Sequence, residues 1–227
     1  MSSGSASLPG ARTASHDGDR IERYTFIERI CHWVTGLTYV YCLLTGLAFY
    51  SPYLFWMAIV LGGGPTSRFW HPFLGIAFAA AITWMHQLWQ KDVALTDVDR
   101  RWLDDVKYYA TNRDDQVPPQ DRFNAGQKVF YWAMFYAAFV LLLTGAIMWF
   151  PEYVPAGLRW IRPLIVLLHS ASALVTIGAF IIHIYMGIFV VPGSTAAIVH
   201  GYVSADWART HHRLWYERMT RRPAVRE

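Results

Sequence analysis

Cysteine is scarce, and charge is shut out of long stretches of the chain. Only two cysteines occur, Cys31 and Cys42, which excludes a disulfide framework or a thiolate-ligated cluster of ordinary spacing. Charged residues make up 16% of the sequence, against about 25% in an ordinary soluble domain. No Asp, Glu, Lys or Arg falls between Arg29 and Arg68, between Arg68 and Lys91, between Lys128 and Glu152, or between Arg162 and Asp206. A glycine-rich nucleotide loop is also missing. What is abundant is apolar: 54% hydrophobic and 16% aromatic, with 11 Trp. This mixture excludes a disordered chain and argues against a soluble globular enzyme.

A bilayer span takes about 20 mostly apolar residues. In lipid the backbone polar groups must be satisfied within the segment, so spans are helices. The charge-free windows predict four, at about 30–50, 69–90, 128–150 and 161–190. The first is stopped by Ser51-Pro52 and the last by Pro192-Gly193. The apolar run 53–61 is too short to span and reads as lying at the membrane surface or folding back into it. The expected architecture is therefore all-α and integral to a membrane, a four-helix bundle over residues 23–192. A polar leader, 1–22, precedes it and is expected to be disordered or ordered only by a partner. An amphipathic tail, 193–227, follows. Lys and Arg choose sides: four lie in the segment up to Ile30, seven in 91–128 and six after Val190, against one and two in the remaining connections. Both termini and the 91–128 loop are thus expected on the cytoplasmic side of a bacterial inner membrane.

Nine histidines are present. His16, His200, His211 and His212 lie in the tails and read as solvated or interfacial. His32, His71, His86, His169 and His183 fall within spans or at their ends, where an ionisable side chain is rare and usually faces the bundle interior with a partner. His169 and His183 share one helix. Their separation turns them about 40° apart around its axis and about 21 Å apart along it. Counting depth along alternating helices places His71 level with His169 on the outer side and His32 level with His183 on the inner side. His86, near the inner end of the second helix, is an alternative to His32. Two imidazoles facing each other between helices suit a haem iron with both axial positions filled. Zinc takes three or four ligands, and no carboxylate or thiol is placed to complete such a set. With no Cys-x-x-Cys-His motif, the haem expected is b-type and noncovalent. Gly36, Gly46, Gly75, Ser170, Ala171, Gly178 and Gly187 leave room for a macrocycle or serve close helix packing.

Trp102, Val106 and Tyr109 fall at helical spacing and predict a short helix over about 97–111. Asn124-Ala125-Gly126-Gln127-Lys128 stands directly before the third span. Its amides read either as a helix cap or as hydrogen-bond partners of a quinone carbonyl. In the tail, Trp207, His211, Leu214 and Trp215 fall on one helical face, an interfacial helix or a docking surface.

Together these residues resemble the gamma subunit, the cytochrome b, of respiratory formate dehydrogenases. The carrying motifs are Ile27-Glu28-Arg29-Ile30-Cys31-His32-Trp33, His71-Pro72-Phe73-Leu74-Gly75, Phe123-Asn124-Ala125-Gly126-Gln127-Lys128, His169, and His183-Ile184-Tyr185-Met186. The similarity runs from about Tyr24 to Tyr216; the leader and His86 lie outside what it carries over. The resemblance implies a four-helix membrane anchor holding two b-type haems, the outer on His71 and His169, the inner on His32 and His183. It implies that Asn124, Gly126 and Gln127 border a site for quinone (menaquinone or ubiquinone), with His183 close by. It also implies partners, an iron–sulfur beta subunit and a molybdenum or tungsten pterin alpha subunit that oxidises formate on the outer side, with no nucleic acid and with a higher oligomer of the heterotrimer open. The chain would then be the electron-transfer and quinone-reducing subunit of a formate:quinone oxidoreductase in anaerobic respiration, not the formate-oxidising one. Arg68, Arg159 and Arg162 at the outer face are candidates for pairing haem propionates or the iron–sulfur partner, or for interfacial anchoring. Two alternatives stand beside this reading. One is a cytochrome b anchor of another periplasmic dehydrogenase, a nickel–iron hydrogenase or a sulfur-compound reductase; the other is a haem-free membrane protein whose histidines merely pack.

Overall fold

The computed structural model describes residues 20–111 and 113–220; the remainder of the leader, with His16, and the end of the tail lie outside the described residues. A short strand, β1 (Arg20–Glu22), leads into the first long helix, α1 (Phe26–Tyr50). This helix opens on a capping box. Thr25 Oγ1 accepts from the Glu28 N–H, and the Glu28 carboxylate takes the Thr25 N–H in return. It therefore starts ahead of the expected position near residue 30. Glu28 and Arg29 both lie inside it with tertiary partners, so charge does not mark its end.

After α1 a 3₁₀ turn and α2 (Trp56–Val60) occupy the short apolar run, with Tyr53, Trp56 and Val60 exposed. The second long helix is α3 (Gly64–Trp89). Beyond it, α4 (Asp97–Asp104) and α5 (Val106–Ala110) stand where one helix is expected over 97–111, burying Trp102 and Tyr109 and leaving Val106 exposed. Then come α6 (Ala125–Trp149) and α7 (Arg162–Tyr185), the latter widening into a π-type turn at Met186–Val190. The tail holds α8 (Ser194–His200), β2 (Tyr202–Ser204), α9 (Ala205–His211) and α10 (Arg213–Thr220).

Helix α1 packs along α3, α6 packs along α7, and α3 against α6 joins the two hairpins. Tyr39, Phe78, Ile82, Met134 and Ala138 fill the middle. The outside is apolar: Leu37, Leu143, Leu167 and Ile182 are all more than 60% exposed, a surface that belongs in lipid rather than water. Among the described residues three helices, Phe26–Tyr50, Ala125–Trp149 and Ala156–Val190, are long and apolar enough to cross a membrane. Helix α3 is as long, at 26 residues, but Arg68, His71, Pro72, His86 and Gln87 keep it out of that set.

The end of the bundle where α1 begins and α7 ends is tied together by the terminal segments. β1 pairs antiparallel with β2, Ile21 opposite Val203. Gly201 sits beside this ladder at φ +92°, its carbonyl accepting from the N–H groups of Arg23 and Tyr24, and a Cβ there would meet the Tyr24 carbonyl oxygen at 2.9 Å. Only glycine fits. The single tail helix suggested by periodicity is broken at His212, which is 1% exposed. Its Nε2 accepts from Arg23 Nη2 at 2.9 Å and its Nδ1–H donates to the Asp121 carbonyl at 2.7 Å.

Burial, reinforced by the Arg23 charge, holds the His212 pKa well below the usual histidine value. Such a group binds fewer protons folded than unfolded. Its stabilising effect is therefore complete above the unfolded pKa of about 6.5 and is lost as pH falls below it. Docking of the tail is expected to loosen between about pH 6.5 and pH 5, read as faster proteolytic cleavage within 193–220. A cleavage rate that stays flat over that interval would rule His212 out as the linked group.

Candidate functional site

Four of the five span histidines meet in two pairs. Toward the start of α7, His71 of α3 faces His169, with ring centroids 6.5 Å apart. Near its end, His32 of α1 faces His183, at 6.2 Å. A metal between two imidazole nitrogens at about 2 Å each, with ring centres about 1 Å further out, sets the centroids about 6 Å apart. Both spacings fit that arrangement. Among the described residues no group of three or more His, Cys, Asp or Glu could cage a bare metal ion. A haem brings four nitrogens of its own and asks the protein for only two, so the donor set fits haem and not zinc. A Cβ on Gly36, Gly75, Gly178 or Gly187 would meet nothing within 4 Å.

The two pairs are held differently. Thr45 Oγ1 lies 2.7 Å from His71 Nδ1, and Thr144 Oγ1 lies 2.8 Å from His169 Nδ1. Among the described residues the His32 and His183 rings have no such contact, and His32 Nδ1 is buried without a hydrogen-bond partner. The His183 ring instead stacks on Phe130, centroids 4.4 Å apart and planes 6° from parallel, while Trp33 meets His32 edge-on. Composition and charge windows do not reveal Thr45, Thr144 or Phe130. A signal for the threonines exists nonetheless, because Leu-Leu-Thr-Gly occurs at 43–46 and again at 142–145.

His86, the alternative inner residue, points elsewhere. Its Nδ1 lies 2.6 Å from the Tyr131 hydroxyl and its ring packs on Phe135 and Trp132; the structure brings His32, not His86, against His183.

The segment before α6 forms a reciprocal cap. Asn124 Oδ1 accepts from the Gln127 N–H at 2.9 Å, and Gln127 Oε1 accepts from the Asn124 N–H at 3.0 Å. Asn124 is buried, and a Cβ on Gly126 would press at 3.4 Å on both Asn124 Oδ1 and Trp102. Below it Lys128 Nζ pairs with Asp99 at 2.9 Å, both side chains buried. The cap consumes the amide oxygens and leaves the Gln127 NH₂ group as a donor. At the opposite end, Arg159 and Arg162 share with Glu152 a cavity of roughly 400 Å³; Arg68 is not among its lining residues.

With this geometry described, comparison with known sequences gives a consistent picture. The profile of the prokaryotic cytochrome b561 family matches residues 23–201. The chain is 32% identical over 207 residues to the cytochrome b556(Fdn) subunit of the nitrate-inducible formate dehydrogenase of Escherichia coli K12, covering 91% of this chain and 95% of that one. It is 33% identical over 199 residues to the cytochrome b556(fdo) subunit of formate dehydrogenase from the same organism, covering 87% and 92%. To the formate dehydrogenase cytochrome b556 subunit of Haemophilus influenzae it is 34% identical over 206 residues, covering 87% and 82%.

Proposed function

The chain belongs to the prokaryotic cytochrome b561 family, alongside the formate dehydrogenase cytochrome b556 subunits, and from that membership we propose that it is the membrane-anchoring, dihaem cytochrome b subunit of a formate dehydrogenase. Family membership and membrane-length helices make it an inner-membrane protein and imply b-type haem. The observation that carries the number two is the pair of facing imidazole sets at haem spacing, one at each end of α7. His71 and His169 would hold the outer haem, and His32 and His183 the inner. The wider reading takes α3 as the fourth span and puts both termini in the cytoplasm, as the Lys and Arg distribution favours.

Bound at these pairs, haem supplies two one-electron carriers. The rest is work for the chain's own side chains. The bundle holds the two pairs about 21 Å apart along α7, so that electrons from an iron–sulfur partner at the outer face have a route inward, the molybdenum or tungsten pterin subunit lying beyond that partner. Near the inner face the Asn124–Gln127 cap, Gly126 and the Lys128–Asp99 pair would bound the quinone site, with the Gln127 amide free to donate to a quinone carbonyl. Reduction of quinone takes up protons, and a site at the inner face draws them from the cytoplasm. Electrons moving inward with proton uptake on that side build membrane potential. Formate oxidation itself has no candidate residues here.

The decisive experiment is a dithionite-reduced minus oxidised spectrum of the purified chain, with haem counted per polypeptide as the pyridine adduct. Two b-type haems are expected. None, in folded protein made with adequate haem supply, would return the histidines to packing.

A further inference from the structure

We propose that Thr45 and Thr144 are positioning residues for the outer pair, fixing both imidazoles in the tautomer that presents Nε2 as a ligand and lowering the potential of the haem they hold relative to the inner one. This rests on the dihaem reading above.

The argument starts from a hydroxyl's single proton. Thr45 Oγ1 lies 2.8 Å from the carbonyl of Tyr41, one turn back in α1, and Thr144 Oγ1 lies 2.6 Å from that of Val140 in α6. A carbonyl only accepts, so each threonine donates to its own helix. The 2.7 and 2.8 Å contacts to His71 and His169 must then run the other way, with the ring Nδ1–H donating to the hydroxyl oxygen. A neutral imidazole carries one N–H. Placing it on Nδ1 leaves Nε2 bare on both rings, the state an axial ligand requires. Donation from the far nitrogen also makes the ring a stronger electron donor to its metal, which favours the oxidised metal and so depresses the potential.

The sequence builds this device twice. The threonine sits in Leu-Leu-Thr-Gly on the first helix of each hairpin, and the histidine it holds lies on the second: Thr45 on α1 for His71 on α3, Thr144 on α6 for His169 on α7. The glycine after each threonine lies beside the same ring: a Cβ would stand in ordinary contact, 3.7 Å from His71 Cε1 at Gly46 and 3.4 Å from His169 Cε1 at Gly145. The inner pair is held differently: His32 Nδ1 has no hydrogen-bond partner among the described residues, and the His183 ring stacks on Phe130. The asymmetry lowers the outer potential relative to the inner one and so favours transfer from the outer to the inner carrier.

The test uses the full-length chain in detergent with Thr45→Val, Thr144→Val and the conservative Thr45→Ser and Thr144→Ser. Haem per chain and the two midpoint potentials are measured, the outer component being the one lost in His71→Ala. Each valine variant is expected to shift the outer midpoint upward and leave the inner where it was, with serine restoring the wild-type value. Selective loss of the outer haem with valine but not serine supports the proposal equally, because valine keeps the shape and removes only the hydroxyl. Unchanged potentials with both haems retained overturn it, as do equal shifts of both haems or loss with serine as well. A wild-type chain without haem overturns the dihaem reading itself and this proposal with it.

Discussion

Replacing His71 or His169 by alanine is expected to remove one haem per chain, and the same one in both cases; replacing His32 or His183 is expected to remove the other. On the dihaem reading the haem count should fall from two to one in each single variant. The basis is the pairing of the rings at 6.5 and 6.2 Å. A b-type haem has no covalent tether, so its two axial bonds and the surrounding packing are all that retain it. Losing one bond leaves a cavity on one face and an unopposed ligand on the other. The paired design also fixes how the variants combine. His71→Ala with His169→Ala loses no more than either alone, because the two residues serve one site. His71→Ala with His32→Ala loses both haems. His86→Ala leaves the count at two, since its ring is engaged with Tyr131 rather than with His183. The measurement is the pyridine adduct per polypeptide beside the difference spectrum. If His86→Ala cost a haem and His32→Ala did not, the inner ligand would lie on α3.

How much of this is legible without coordinates varies with the range of the interaction. The absence of charge finds the long helices because lipid and an unpaired charge are incompatible over the whole length of a span. The same rule misplaces the start of α1. Glu28 is a charge that the helix tolerates, because Arg122, 94 residues away, stands 2.7 Å from it. Hydropathy alone passes over α3, whose polar residues are the ones of most interest here, two of its histidines included. Depth counting along alternating helices puts His71 at the level of His169 and His32 at that of His183, because a helix rises uniformly and its ends are marked. It says nothing of which way a ring turns. The threonine contacts, the Phe130 stack and the Tyr131 partner of His86 depend on the rotation of one helix against another. In the tail, periodicity joins Trp207 to Trp215 in one helix, whereas burial of His212 against Arg23 breaks it. That contact spans 189 residues and leaves no local trace.

Substituting Arg122 by alanine is expected to be the most damaging change outside the histidine pairs. Its guanidinium donates to Glu28 at 2.7 Å, to Asp92 at 2.9 Å and to the backbone carbonyl of Arg23 at 2.8 Å. One side chain thus ties the start of α1, the chain just past α3 and the entry to α6. Its ion pairs, with Asp92 and Glu28, hold its pKa above the ordinary arginine value despite the opposing effect of burial. Glu28 is the vulnerable partner. Its carboxylate also takes the Trp89 Nε1–H at 2.7 Å and the Thr25 N–H and hydroxyl at 2.8 and 3.0 Å, and its side chain is 7% exposed. Removing Arg122 leaves that carboxylate buried without its countercharge, a loss of about 3–5 kcal/mol for a pair of this kind. Lysine restores little, since one ammonium cannot serve three acceptors spread around a planar fork. Glu28→Gln is no simple rescue either, because an amide NH₂ would face either the donors of Thr25 or that of Trp89. The clamp lies one helical turn from His32, so its failure reaches the inner pair before the outer one. Arg122→Ala should lower the thermal midpoint of the detergent-solubilised chain and release the inner haem on heating while the outer is still bound. An unchanged midpoint, or simultaneous release of both haems, would show that the inner end does not depend on this residue.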